Sequence, residues 1–171
     1  GQAHETLAQY PEAVASYETA LRVDPKDLEA CRRQAGVLFK IGKLPEALRG
    51  YELATELAPN VEEMWVQRAR CLLRLKRPAE AAEAYDRALV LDSTDARAWH
   101  GKGFALASLE RMEEAISCYD RALDRDPKDG RVWQNRGTAL QWLSRHAEAV
   151  ESFDRALGLD PANVFALVHR G

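Results

Sequence analysis

The chain has 171 residues, 46% of them apolar and 30% charged, with 24 Lys and Arg against 27 Asp and Glu and a net charge of -3. That composition belongs to a folded domain, and the near-balance of charge argues against nucleic acid as a partner, which would call for a broad basic excess. No apolar run approaches the ~20 residues that span a bilayer, so no membrane insertion is expected, and the opening residues carry no signal-peptide pattern.

Along the chain the dominant feature is a spacing. Pro25, Pro59, Pro127 and Pro161 fall on a 34-residue step, with Ser93 at the missing rung. Glu12, Glu46, Glu80, Glu114 and Glu148 keep the same step, as do the alanine ladders Ala13 to Ala149 and Ala20 to Ala156. Tyr17, Tyr51, Tyr85, Tyr119 and Phe153 place an aromatic in every period. A fixed period of this length marks a repeat array.

Each period reads as two helices. In the unit beginning at Ala96, Ala98, Trp99, Gly103, Leu106 and Leu109 recur at helical spacing, and Ala115, Ile116, Tyr119, Ala122 and Leu123 form a second run. Pro11, Pro45 and Pro78 fall near the start of a second helix, where proline's fixed φ is compatible with the first turn. A helix pair cannot bury both apolar faces alone, so the units must stack.

The pattern Trp133, Arg136, Gly137, Leu140, Ala149, Phe153 and Pro161 resembles the tetratricopeptide repeat, and the resemblance covers the whole chain. Trp65 and Trp99 match, while Cys31 and Leu167 replace the tryptophan in their periods. The resemblance implies an all-α solenoid of antiparallel helix pairs in a right-handed superhelix. The expected organisation of the 1–171 array is a partial repeat at 1–27, complete repeats at 28–61, 62–95, 96–129 and 130–163, and the start of another at 164–171. It also implies that the first helix of each pair lines a concave groove for peptides or partner proteins.

One departure is systematic: Gln34, Arg68, Lys102, Arg136 and Arg170 stand where the family has Leu. An acid sits sixteen residues before each (Glu18, Glu52, Asp86, Asp120 and Asp154), so these residues are expected to pair between helices rather than bind a ligand. Gly1 and Gly171 occupy the same phase of the repeat, and the apolar Val164, Phe165, Leu167 and Val168 close the sequence. The expectation is a piece of a longer array with exposed ends open to head-to-tail self-association.

Catalytic signals are absent. His4, His100, His146 and His169 show no metal spacing. His4 and His146 are expected to pack, and His100 to be solvated on the groove. The glutamate ladder suits helix N-termini, one acid per layer, rather than paired acid–base catalysis. Cys31, Cys71 and Cys118 lie 40 and 47 residues apart, without disulfide or zinc spacing, which fits gap-filling thiols in a reduced, cytoplasmic protein. No enzyme activity, cofactor or metal is expected.

Residues opposite the packing stripe of each first helix define the groove. The expected peptide-binding set is Arg32, Arg33, Phe39 and Lys40, then Arg70, Leu73 and Arg74, then Arg97, His100 and Phe104, then Arg131, Asn135 and Trp142. Of all groove-facing positions, which include Glu29, Glu63 and Val66, seven are basic and two acidic. Neither the family's Lys/Asn/Asn/Lys/Arg carboxylate clamp nor a repeated groove asparagine is complete here. The resulting expectation is a non-catalytic scaffold whose basic groove binds an acidic or mixed apolar–acidic segment of a partner protein. A regulatory or substrate-recruiting arm of a longer enzyme and a self-assembling module are the alternatives.

Overall fold

The computed structural model describes the backbone of residues 2–170 and the side chains of residues 10–169. Among the described residues there are ten helices and no strand: α1 (Gln2–Val23), α2 (Leu28–Lys40), α3 (Leu44–Leu57), α4 (Glu62–Arg74), α5 (Pro78–Leu91), α6 (Ala96–Ala107), α7 (Met112–Arg125), α8 (Gly130–Trp142), α9 (His146–Leu159) and α10 (Val164–Arg170). From α2 to α9, helices of the same kind begin 34 residues apart, at Leu28, Glu62, Ala96 and Gly130, then at Leu44, Pro78, Met112 and His146. This is the all-α tetratricopeptide architecture.

Local chemistry sets these boundaries. Asp27, Asp95 and Asp129 cap α2, α6 and α8 by accepting a backbone N–H from Ala30, Arg97 and Arg131, each cap being worth about 1 kcal/mol. At the same step before α4, Val61 offers no side-chain cap. The first helices end in a repeated turn. Gly42, Lys76, Glu110 and Ser144 take positive φ of 82°, 57°, 61° and 59°. The N–H after each returns to a carbonyl five residues back, as in Lys43 to Leu38 and Arg145 to Leu140. That is the Schellman arrangement, which satisfies carbonyls at the helix end and turns the chain back for the second helix. The left-handed conformation costs a non-glycine residue roughly 1 kcal/mol or more, so three of the four turns are held against local preference.

The N-terminal segment differs from expectation. Pro11 lies inside α1, which runs unbroken from Gln2 to Val23. Ala8 occupies the repeat step of the left-handed turn but is helical, so no second helix begins near Pro11. Alanine's strong right-handed preference accounts for the missing turn.

The chain divides into two compact units at Arg77/Pro78. In the first, Ala35, Ala47, Ala54 and Ala69 are fully enclosed with Tyr51, Leu72, Cys31 and Cys71. In the second, Tyr119, Phe153, Leu140 and Val132 anchor the core, with Ala115, Ala122, Ala149 and Ala156 at the close approaches. A Cβ on Gly137 would stand 2.7 Å from the Phe153 ring, so at this step glycine admits the aromatic. The three cysteines are free and buried, and burial pushes the Cys71 thiol up to about 11.

Three pairs of the expected ladder form, while Gln34 and Glu18 make no such contact among the described residues. Arg68 reaches Glu52 at 3.8 Å, Lys102 reaches Asp86 at 2.6 Å and Arg136 reaches Asp120 at 2.6 Å. Each cation also lies over the tryptophan three residues before it. These rings, Trp65, Trp99 and Trp133, donate Nε1–H to the carbonyls of Pro59, Ser93 and Pro127, each at 2.9 Å. Trp99 is therefore half-buried, flanked by Lys102 and Arg121, rather than sunk in a core. No helix of the described residues is long and apolar enough to cross a membrane.

Candidate functional site

Seven of the thirteen expected groove residues line two cavities, one in each unit. In the first unit, Arg32, Phe39 and Lys40 of α2 and Arg70 of α4 line a space of about 300 Å³ that Tyr51 of α3 and Gln67 also border. Arg70 and Arg74 place their guanidinium carbons 5.7 and 5.1 Å from the centre of the Phe39 ring. Gln67 links Arg70 to the first turn of α4: its oxygen accepts from Arg70 at 3.2 Å, and its amide donates to Glu63. Leu73 is half-buried and does not line this cavity.

In the second unit, Phe104 of α6 and Asn135 and Trp142 of α8 line a space of about 250 Å³ with Tyr119 of α7 beneath. Phe104 is 49% and Trp142 57% exposed, an unusual display for two large aromatic side chains. Asn135 is joined to His100 at 2.8 Å, and the His100 ring meets Tyr119 edge-on with centroids 6.0 Å apart. His100 is thus enclosed rather than solvated, and burial holds its pKa below the ordinary histidine value.

These cavities occupy the same repeat position. Tyr51 and Tyr119 correspond, as do Gln67 and Asn135, while the rims exchange Arg32 for His100, Gly36 for Phe104, Lys40 for Ser108, Arg70 for Thr138 and Arg74 for Trp142. The sequence treated the tyrosines as packing residues only. Tyr51 is 3% and Tyr119 1% exposed, yet each reaches a cavity. Gly36 was the available signal, because a residue without a side chain leaves the ring opposite uncovered. Val66 differs in the other direction: it was expected on the groove and is 3% exposed.

Charge on this face is more local than the residue count implied. Arg32 and Arg33 both bind Glu29, whose carboxyl they draw down to about 2, chiefly through their hydrogen bonds. Arg97 and Arg131 bind the capping carboxylates Asp95 and Asp129 on their own helices. Those caps precede the groove positions, so the sequence tally omitted them. Lys40, Arg70 and Arg74 have no carboxylate within ion-pair distance among the described residues, which concentrates the uncompensated positive charge beside the first cavity. Arg97 lines neither cavity, and Arg131 lies in a third hollow near Asp160 and Asn163.

The remaining histidines split. His146, expected to pack, is exposed at the first position of α9. His169 stacks on Phe165 with centroids 4.1 Å apart. The side chains of His4 and Arg170 lie outside the described residues, as do Gly1 and Gly171. Among the described residues no group of three His, Cys, Asp or Glu side chains is placed to hold a metal ion.

Comparison with known proteins agrees with this architecture. Tetratricopeptide-repeat profiles match residues 1–62, 62–105, 96–129 and 130–163. No curated protein sequence matches. Among solved structures, a crystal structure of MamA is similar at 22% identity over 92% of each chain, with a TM-score of 0.87. YrrB, described as a TPR protein with an unusual peptide-binding site, is 23% identical over 98% of this chain and 86% of its own, with a TM-score of 0.84. PilW, described as a type IV pilus biogenesis factor, is 23% identical over 92% of this chain and 73% of its own, at 0.79. The repeat geometry and the profile matches lead to one assignment: the chain belongs to the tetratricopeptide-repeat family.

Proposed function

We propose that this protein is a non-catalytic scaffold that captures a segment of a partner protein. Each unit offers its own chemistry for such a segment: the cavity of Lys40 and Arg70 suits an acidic group, and the cavity of Phe104 and Trp142 an apolar or aromatic side chain. The observation carrying this reading is the exposure of Trp142 and Phe104 over a formed cavity, at the repeat position that is cationic in the other unit. YrrB supports the reading as a structural neighbour described by a peptide-binding site. Repeat bounds at 28–61, 62–95, 96–129 and 130–163 and a reducing, cytoplasmic setting complete the proposal, the latter supported by three buried free thiols.

Selection of displayed twelve-residue random peptides on the immobilised chain tests the function. Enrichment of Asp or Glu together with Trp, Phe or Leu is expected. Recovery of basic or composition-neutral sequences would overturn it. Self-association is the second reading, favoured by the exposure of Val164, Leu167 and Val168 on α10. Light scattering that shows a concentration-independent monomer would reject it.

A further inference from the structure

We infer that the cavity beneath Lys40 and Arg70 is a receptor for a phosphoryl group carried on the bound segment, with Tyr51 donating a hydrogen bond from its floor. This rests on the proposed peptide-binding function and specifies the chemistry of its acidic end. Three observations converge.

The first is an unpartnered donor. Tyr51 is 3% exposed and borders the cavity, and its hydroxyl has no hydrogen-bond partner among the described residues. Gly36 leaves it open, since even a Cβ added there would lie 3.8 Å from that oxygen. The hydroxyl is open to the cavity rather than sealed from it, so a group bound there can accept its hydrogen bond. Burial pushes the Tyr51 phenol up to about 12, so it keeps its proton and acts as a donor at neutral pH.

The second is charge. The cavity wall carries Arg32, Lys40 and Arg70 against one carboxylate, Glu63, and Arg74 adds a further cation over the Phe39 ring. Glu29 is taken up by Arg32 and Arg33, and Glu63 accepts from Gln67. A single carboxylate would leave most of the surplus in place. A phosphomonoester carries about -1.5 to -2 near neutral pH and comes much closer to balancing it.

The third is donor number. Arg70, Lys40 and Tyr51 approach from three different helices, which suits the three terminal oxygens of a phosphate better than the two of a carboxylate. Gln67 holds the Arg70 guanidinium at 3.2 Å, so one donor is already oriented. The corresponding cavity in the second unit has the buried tyrosine but neither cation, with Ser108 and Thr138 in their places.

The test is an NMR titration of the whole chain at fixed ionic strength. Four probes are compared: a capped Gly-phosphoserine-Gly peptide, the same peptide with glutamate, inorganic phosphate and acetate. The phosphoserine peptide should shift the Gly36, Lys40 and Gln67 amides and bind about tenfold tighter than the glutamate peptide. Arg70→Gln should weaken it about tenfold. Tyr51→Phe, which keeps the ring, should weaken it threefold or more with an unchanged melting temperature. Equal affinity for the glutamate and phosphoserine peptides overturns the phosphoryl assignment while the acidic-segment function stands. Inorganic phosphate binding as tightly as the peptide makes this a free-anion site and overturns the segment-borne source. Wild-type affinity in Tyr51→Phe, or shifts confined to other residues, removes the cavity from the argument.

Discussion

The two cavities are built on one plan and offer different chemistry. Both have a buried tyrosine for a floor and an amide side chain on the facing helix. Their rims change from Gly36, Lys40, Arg70 and Arg74 to Phe104, Ser108, Thr138 and Trp142. The floor is constrained because Tyr51 and Tyr119 also fill the space between helices. Rim residues are exposed, and exposed substitutions away from special features cost little stability. Recognition can therefore diverge from repeat to repeat while the stack persists.

The largest expected effect tests whether the floor is shared. Tyr51→Ala and Tyr119→Ala should each destabilise by about 3–5 kcal/mol, measured by urea unfolding. A loss below about 1 kcal/mol in either would show that its ring is not a supporting element and would break the equivalence.

The rims should separate in binding. For a peptide selected on the wild type, Trp142→Ala should cost about 2 kcal/mol with little dependence on salt. Arg70→Glu should weaken binding most at low salt, because the Debye length shrinks from about 10 Å at 0.1 M to about 3 Å at 1 M. Calorimetry at the two salt concentrations reads both effects. The same salt dependence in both variants would erase the distinction.

Acid should also tell the units apart, since His100 stands at the step of Arg32. Its folded pKa is depressed by burial, with Arg131 adding to the effect and Asp129 opposing it. The unfolded chain then takes up the proton first. The stability His100 contributes is fully present above about pH 6.5 and is lost as pH falls through the lower folded value. Urea midpoints at pH 7.5 and 5.5 should fall with acid in the wild type and fall less in His100→Gln. Identical slopes would show that His100 titrates freely.

Ion pairs give the smallest contrast. A double-mutant cycle on Arg136 and Asp120, at 2.6 Å, should yield a coupling of up to about 1 kcal/mol, and one on Arg68 and Glu52, at 3.8 Å, a value near zero. Equal couplings would mean that distance does not rank these pairs.

The periodic residues made the helix pairs from α2 onward legible, because core alanines and aromatics must return each time a helix pair packs on the next. The continuity of α1 through Pro11 escaped, since the turn depends on the backbone conformation at one residue, and Lys76, Glu110 and Ser144 adopt it with no compositional mark. For the site, positions on the first helices identified Phe104 and Trp142. They could not show that Arg32 and Arg33 share Glu29 or that Arg97 and Arg131 turn back to their own caps, because a rotamer chooses between neighbouring carboxylates. The enclosure of His100 by Asn135 and Tyr119 joins residues 35 and 19 positions away, beyond any local pattern.

The tryptophan contacts also bear on how such a chain tolerates change. Trp99 bonds the carbonyl of Ser93 at the same 2.9 Å as Trp65 and Trp133 bond those of prolines. Every amino acid carries that carbonyl, so the proline can drift without loosening the joint. The prolines that make the period conspicuous to a reader are thus among its more replaceable parts, and a repeat can shed its most visible signature while keeping its grip on the preceding turn.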